Sequence, residues 1–249
     1  MSGHSKWANI KRQKGKADAA RGKIFTKLGR EIAIAVREGG GDPSVNGKLR
    51  DVVAKAKANN MPSDTITRSI KKAAGELGSV NYEEIIYEGY APGGVAVIVE
   101  CVTDNRNRTA SDIRHIFDKC GGALGATNCV GYMFDRKGLM VVERKPGVDE
   151  DEMMLQAMEA GASDFEADED VFEISSDVAD FSSVREALEK QGVPFLSAEL
   201  TRVPQNTVTV DDPDTLERVR KLIEMLDDID DVLNVYHSGD LPDEEDEDD

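Results

Sequence analysis

The chain has 249 residues, of which 39 % are apolar, 5 % aromatic and 32 % charged, and its 49 acidic and 31 basic side chains leave a net charge of −18. This is a globular composition, lean in aromatics but able to bury cores in one large domain or two to three ordinary ones; no run approaches the roughly 18 apolar residues of a membrane span. The charge changes sign at Leu77: residues 1–77 carry a net +10 and the remaining 172 a net −28.

Residues 1–16, MSGHSKWANIKRQKGK, are a basic arm without the apolar core of a signal peptide, so a cytoplasmic protein is expected. From Ala17 to Glu38 the residues Ile24, Phe25, Leu28, Ile32, Ala35 and Val36 recur at helical spacing, up to Gly39–Gly41. Asp42 and Pro43 read as the start signal of a second helix with Leu49, Val52, Val53 and Ala56 inward. A third helix from Ser63 turns Ile66, Ile70, Ala73, Ala74 and Leu77 inward. Residues 1–77 hold no strand candidate, so the sign change coincides with a domain boundary.

After Gly78–Asn81 the period becomes strand-like. Tyr82–Glu88 and Val95–Thr103 form a hairpin around Pro92–Gly94, the second strand being apolar on both faces and therefore central. Thr109–Cys120 reads as a helix closed by Gly121 and Gly122. Strands are expected near Val130–Phe134 and at Leu139–Arg144, 164–167, 171–175, 196–202, 207–210 and 232–237. Helices are expected at Asp151–Ala160, at Ser183–Gln191 with Ser183 and Glu186 as a capping box, and from Asp212–Pro213. The run DEEDEDD at 243–249 is a disordered acidic tail.

The fold class is therefore α+β and multidomain. Residues 138–203 spell β-α-β-β-α-β, the order of a ferredoxin-like unit. If that unit is self-contained, the strand, helix and strand at 206–237 supply partners for 82–134. The expected division is 1–80 for the arm and helical domain, 81–135 with 204–238 for a discontinuous α+β domain, 136–203 for the insertion and 239–249 for the tail. Two consecutive α+β domains meeting near 135 are the alternative.

No motif points to catalysis: GxxxxGK[ST], GxSxG and HExxH are all absent, and three His leave acid–base chemistry to solvated carboxylates. Cys101, Cys120 and Cys129 are odd in number and lack a CxxC. They read, with His115, as buried small side chains and a helix-surface histidine rather than metal ligands. No metal, cofactor or small-molecule substrate is expected, and the chain reads as non-enzymatic.

The informative set is basic. Lys6, Lys11, Arg12, Lys14, Lys16, Arg21, Lys23, Lys27 and Arg30 fall within 25 residues opposed by Asp18 alone. Screening confines charge to about 8 Å at physiological salt, so this segment can hold a polyanion although the whole molecule is acidic. Trp7 offers a face for base stacking, or else pins the arm to the helical domain. In the loop Asp104–Thr109, Arg106 and Arg108 stand at a helix N-terminus, where anions are favoured. The equal alternative is that Asp104 and Asn105 turn the chain and Thr109 caps the helix.

The start GHSKWANIKRQKGKADAARGKIFTKLGREI, the segment NMPSDTITRSIKKAAGE, the hairpin YEGYAPGGVAVIVE and the loop TDNRNRT followed by GG and GYMF together resemble the YebC/PmpR family of bacteria, which is related to a mitochondrial translational activator. The resemblance implies three domains, a helical one and two α+β ones, the third inserted in the second. It implies no catalytic residue. Bacterial members are commonly assigned as cytoplasmic DNA-binding transcriptional regulators, and translational members are thought to act on the ribosome at difficult sequences such as proline runs. The expected partner is thus DNA or ribosomal RNA, held by the basic arm and first helix and by Arg106 and Arg108. The acidic tail lies outside the family pattern.

Overall fold

A computed structural model describes residues 18–75, 81–145 and 147–242, with side chains from residue 22 onward. The expected arm, the end of the third helix at Leu77 and the acidic run 243–249 lie outside these residues.

Three helices form the N-terminal body: α1 (Asp18–Gly39), α2 (Gly47–Ala58) and α3 (Ser63–Ala73). Leu28, Ile32, Ala35 and Val36 of α1 close over Leu49, Val52 and Ala56 of α2 and Ile66 of α3. The second helix begins at Gly47, not at Asp42–Pro43. Asn46 caps it, accepting from the Leu49 N–H at 3.0 Å while its amide donates to the carbonyls of Ala35 and Gly40 at 2.8 Å. One buried amide thus satisfies the start of α2 and carbonyls at the end of α1, a better use of a cap than Asp42 can make. Asp42 instead holds the turn through the Ser44 N–H.

The first sheet has the order β3-β1-β2-β9, with β1 at Glu83–Tyr90, β2 at Ala96–Thr103, β3 at Ala123–Leu124 and β9 at Val232–His237. The hairpin register runs from Glu83↔Thr103 to Tyr90↔Ala96, and Gly93 and Gly94 supply two left-handed residues at its turn. Strand β2 is buried on both faces, as its apolar run requires. Helices α4 (Arg106–Lys119) and α7 (Pro213–Asp227) cover one face, packing Ile113, Phe117, Val219, Leu222 and Leu226 against Val97, Val99 and Val232. A short parallel pair, β8 (Val208–Thr209) with β10 (Gly239–Asp240), completes this part.

Between β2 and β9 in sequence lies the second sheet, built from β4 (Phe134–Glu143), β5 (Asp164–Ala167), β6 (Val171–Ser176) and β7 (Phe195–Pro204), with helices α5 (Glu150–Glu159) and α6 (Phe181–Lys190). Its order β5-β6-β4-β7, antiparallel throughout, is the ferredoxin-like arrangement. The two strands expected at 130–134 and 139–144 are one. Gly131–Met133 forms a 3₁₀ turn, and β4 then runs unbroken through Asp135, Arg136 and Lys137 because β7 pairs with it along that stretch. Helix α6 starts at Phe181, so Ser183 is not its cap; the Ser183 hydroxyl donates to the Asp180 carbonyl.

Candidate nucleic-acid interface

Helix α1 carries two stripes. One is the apolar seam already described; the other presents Lys23, Lys27 and Arg30, spaced to share a face, to the acidic segment between α7 and β9. Lys23 Nζ lies 2.9 Å from Asp228 Oδ1, and Lys27 Nζ lies 2.8 Å from Asp227 Oδ1 and 2.9 Å from the Asp227 carbonyl. Arg30 Nη1 lies 2.6 Å from Asp231 Oδ1 and also donates to the carbonyls of Asp230 and Val102.

Asp231 is the junction. It is 3 % exposed, and its Oδ2 accepts from Arg108 Nη2 at 2.9 Å, Thr109 Oγ1 at 2.7 Å and Thr103 Oγ1 at 3.0 Å. Burial pushes this carboxyl up. The hydrogen bonds from Arg108, Thr109, Arg30 and Thr103 outweigh that effect and hold it at about 2. Asn105, not Thr109, caps α4, accepting from the Arg108 N–H at 3.2 Å. Thr109 falls in the first helical turn, buried, because Asp231 draws its hydroxyl inward. Arg108 also reaches Asp104 at 2.9 Å. Four of the expected polyanion contacts, Lys23, Lys27, Arg30 and Arg108, thus face carboxylates of this chain. Arg106 is exposed. Lys6, Trp7, Lys11, Arg12, Lys14 and Lys16 lie outside the described residues, as does the side chain of Arg21.

The same pairing continues on α2, toward the second sheet. Lys55 bridges Glu31 at 3.0 Å and Glu199 at 3.1 Å; burial would lower its pKa, but the two carboxylates raise it further. Asp51 accepts from Arg185 at 3.1 Å and Ser182 at 2.6 Å, and Arg50 reaches Glu186 at 3.1 Å. These groups border a cleft of about 490 Å³ between the helical body and both sheets, lined by Glu31, Lys55, Phe181, Glu199 and Arg202 among others. On the far side of the helical body, Lys57, Arg68, Lys71 and Lys72 are exposed and make no ion pair with a described residue. These four, with Lys48, Arg50 and Lys55, are the cations that the sequence offers on the second and third helices, and being mostly Lys they suit phosphate contact better than base readout. The signal that finds them is the pairing of their neighbours.

Among the described residues no group of three or more His, Cys, Asp or Glu is placed to hold a metal ion, and no helix is long and apolar enough to cross a membrane. Cys101 and Cys120 are buried, burial pushing the Cys101 thiol up to about 12, and His115 is exposed on α4.

Residues 5–76 match the TACO1/YebC protein N-terminal domain, and residues 82–239 match the TACO1/YebC second and third domain. A relative from Ruminiclostridium cellulolyticum is 62 % identical over 247 residues, covering 99 % of this chain and all of its own. Another, from Acetivibrio thermocellus, is 61 % identical over 238 residues, with 96 % of this chain and 98 % of its own covered. Both carry the name probable transcriptional regulatory protein. The crystal structure of a conserved hypothetical protein from Aquifex aeolicus superposes with a TM-score of 0.83 at 48 % identity, over 92 % of this chain and 94 % of that one.

Proposed function

The chain belongs to the TACO1/YebC family, and from that premise we propose that it is a nucleic-acid-binding regulator of gene expression that works by binding rather than by catalysis. The observation that carries this reading is the segregation of charge. The +10 of residues 1–77 sits in a chain of net −18, and the acidic surplus is drawn onto one side of the helical body. The arm residues Lys6, Lys11, Arg12, Lys14 and Lys16 then supply phosphate contacts, with Trp7 as a stacking face. We read residues 81–135 with 204–238 as one domain and 136–203 as its insertion, the pair forming the acidic support that holds the helical body.

Regulation of transcription through DNA is the reading that the names of the relatives favour. Attachment to ribosomal RNA is the second reading, and the composition of α3 leaves it open. Its sequence SDTITRSIKKA offers Arg and Lys but neither Asn nor Gln for reading an adenine edge. Backbone contact of that kind suits either polymer.

The test is a salt series on the full chain with labelled duplex DNA and with single-stranded RNA. Reversing Lys11, Arg12, Lys14 and Lys16 to Glu is expected to abolish binding at physiological salt. Binding that persists unchanged rejects the arm as the site. Co-sedimentation with ribosomes, without preference for promoter DNA over random competitor, selects the ribosomal reading over the transcriptional one.

A further inference from the structure

Helix α3 packs against α1 and α2, with Ser69 opposite Gly29 of α1, and turns Ile66, Ile70 and Ala73 inward. Arg68, Lys71 and Lys72 are spaced i, i+3 and i+4, so they share the opposite, exposed face. Lys57, in the last turn of α2, is exposed as well. The helix has one acid, Asp64, in its first turn.

The contrast with the rest of the body is what makes this face informative. Lys23, Lys27, Arg30, Lys48, Arg50 and Lys55 each reach a carboxylate within 3.5 Å. Arg37 donates to the Tyr82 carbonyl instead, so within the body the cations that face the acidic domains are the paired ones, although the chain has 49 acids for 31 bases. Lys57, Lys71 and Lys72 also stand in last helical turns, where a cation offsets the C-terminal partial charge. That accounts for three of the four but not for Arg68 in mid-helix, which has Asp64 one turn before it on the same face yet makes no ion pair with a described residue.

We propose that the outer face of α3, with Lys57 beside it, is where the folded helical body grips the phosphate backbone of a nucleic acid, while Lys23, Lys27 and Arg30 hold that body to the acidic domains. The inference rests on the nucleic-acid reading above and assigns its contact surface. Three cations on one face match phosphates along a single backbone, whereas the α1 stripe is already neutralised and has no counterions to release.

The experiment compares the full unaltered chain, an R68Q/K71Q/K72Q variant and a K23Q variant, using a labelled duplex DNA and a single-stranded RNA across a salt series. The α3 variant is expected to bind about tenfold or more weakly at 0.15 M salt, with the slope of log K against log salt reduced by about 2–3. The K23Q variant is expected to keep the slope of the unaltered chain, and so is K71R/K72R, which preserves charge. A slope unchanged in R68Q/K71Q/K72Q, with binding still lost on reversing the arm cations, overturns the α3 assignment and leaves the nucleic-acid reading standing. Failure of the unaltered chain to bind either probe overturns that reading and this one together. All substituted side chains are exposed, so equal melting temperatures separate lost contact from lost fold.

Discussion

Arg30 and Asp231 stand 201 residues apart in sequence and 2.6 Å apart in space, where they join the first helix of the chain to the loop before its last long strand. Their side chains are 14 % and 4 % exposed. A pair this dry is stabilising only while every lone pair and donor is satisfied, and Asp231 meets that condition by accepting from two arginines and two threonines.

Asp231→Ala should therefore be among the most damaging single changes. It leaves the half-buried Arg30 guanidinium with carbonyl acceptors but no counter-charge and removes the acceptor shared by the Thr103 and Thr109 hydroxyls, and the expected loss is about 3–5 kcal/mol. Urea unfolding followed by far-UV circular dichroism measures it. A loss below about 1 kcal/mol would mean that Asp231 contributes little to the junction.

The same carboxyl predicts acid sensitivity. Its folded pKa, about 2, lies below the ordinary 3.8, so the folded state favours the ionised form. That stabilisation is complete above the unfolded pKa and is lost as pH falls from about 4 to 2. The shift corresponds to about 2 kcal/mol. Melting temperatures measured between pH 5 and 2 should fall more steeply for the unaltered chain than for Asp231→Asn, which has no carboxylate to protonate.

Gly138 is a contact glycine in β4. A Cβ there would lie 2.4 Å from Ser176 Oγ and 2.5 Å from Phe181 Cδ2, and Phe181 is a buried anchor of α6. Gly138→Ala must push α6 off the sheet, at about 1–3 kcal/mol or more. Thermal unfolding checks this, with Gly192→Ala as a comparison in which the strain is conformational, since φ is +84° there and no atom lies within 4 Å.

Glu88 is 4 % exposed and accepts from three backbone N–H groups, those of Asn128, Val130 and Gly131. Glu88→Gln replaces one acceptor oxygen by a donor facing donors. The expected cost is about 1–3 kcal/mol. Hydrogen exchange should show it as faster exchange of those three amides, and unchanged protection would reject the role.

Much of the architecture was legible because periodicity is local. The strand at 232–237 follows from apolar spacing, and counting unpartnered elements assigns 206–237 to 82–134; that it pairs with the central strand is shown only by the fold, whereas the ferredoxin-like order at 138–203 is spelled by element sequence alone. Helix starts are less legible. Asp42, Thr109 and Ser183 are all good caps by residue type, yet Asn46, Asn105 and Asp180 hold those positions. What decides is tertiary: Asn46 is chosen by carbonyls of α1 and Thr109 by Asp231, neither visible in a window of a few residues. The continuous strand β4 was hidden by its charged Asp135–Lys137, which reads as a loop until β7 is laid beside it. The cations were equally plain, but not their partners. Lys27 and Asp227 are 200 residues apart, and only the fold brings them together.

One connection has a mechanical consequence. The second sheet departs at Phe134 and returns at Pro204, and these residues are direct cross-strand partners, with the Gln205 N–H donating to the Met133 carbonyl at 2.9 Å just outside. The two crossings are therefore bonded to each other, so neither can shift along its axis without breaking the register of the other. The second sheet is thus tied at two places, by this double crossing and by the contacts of Arg50 and Asp51 with α6.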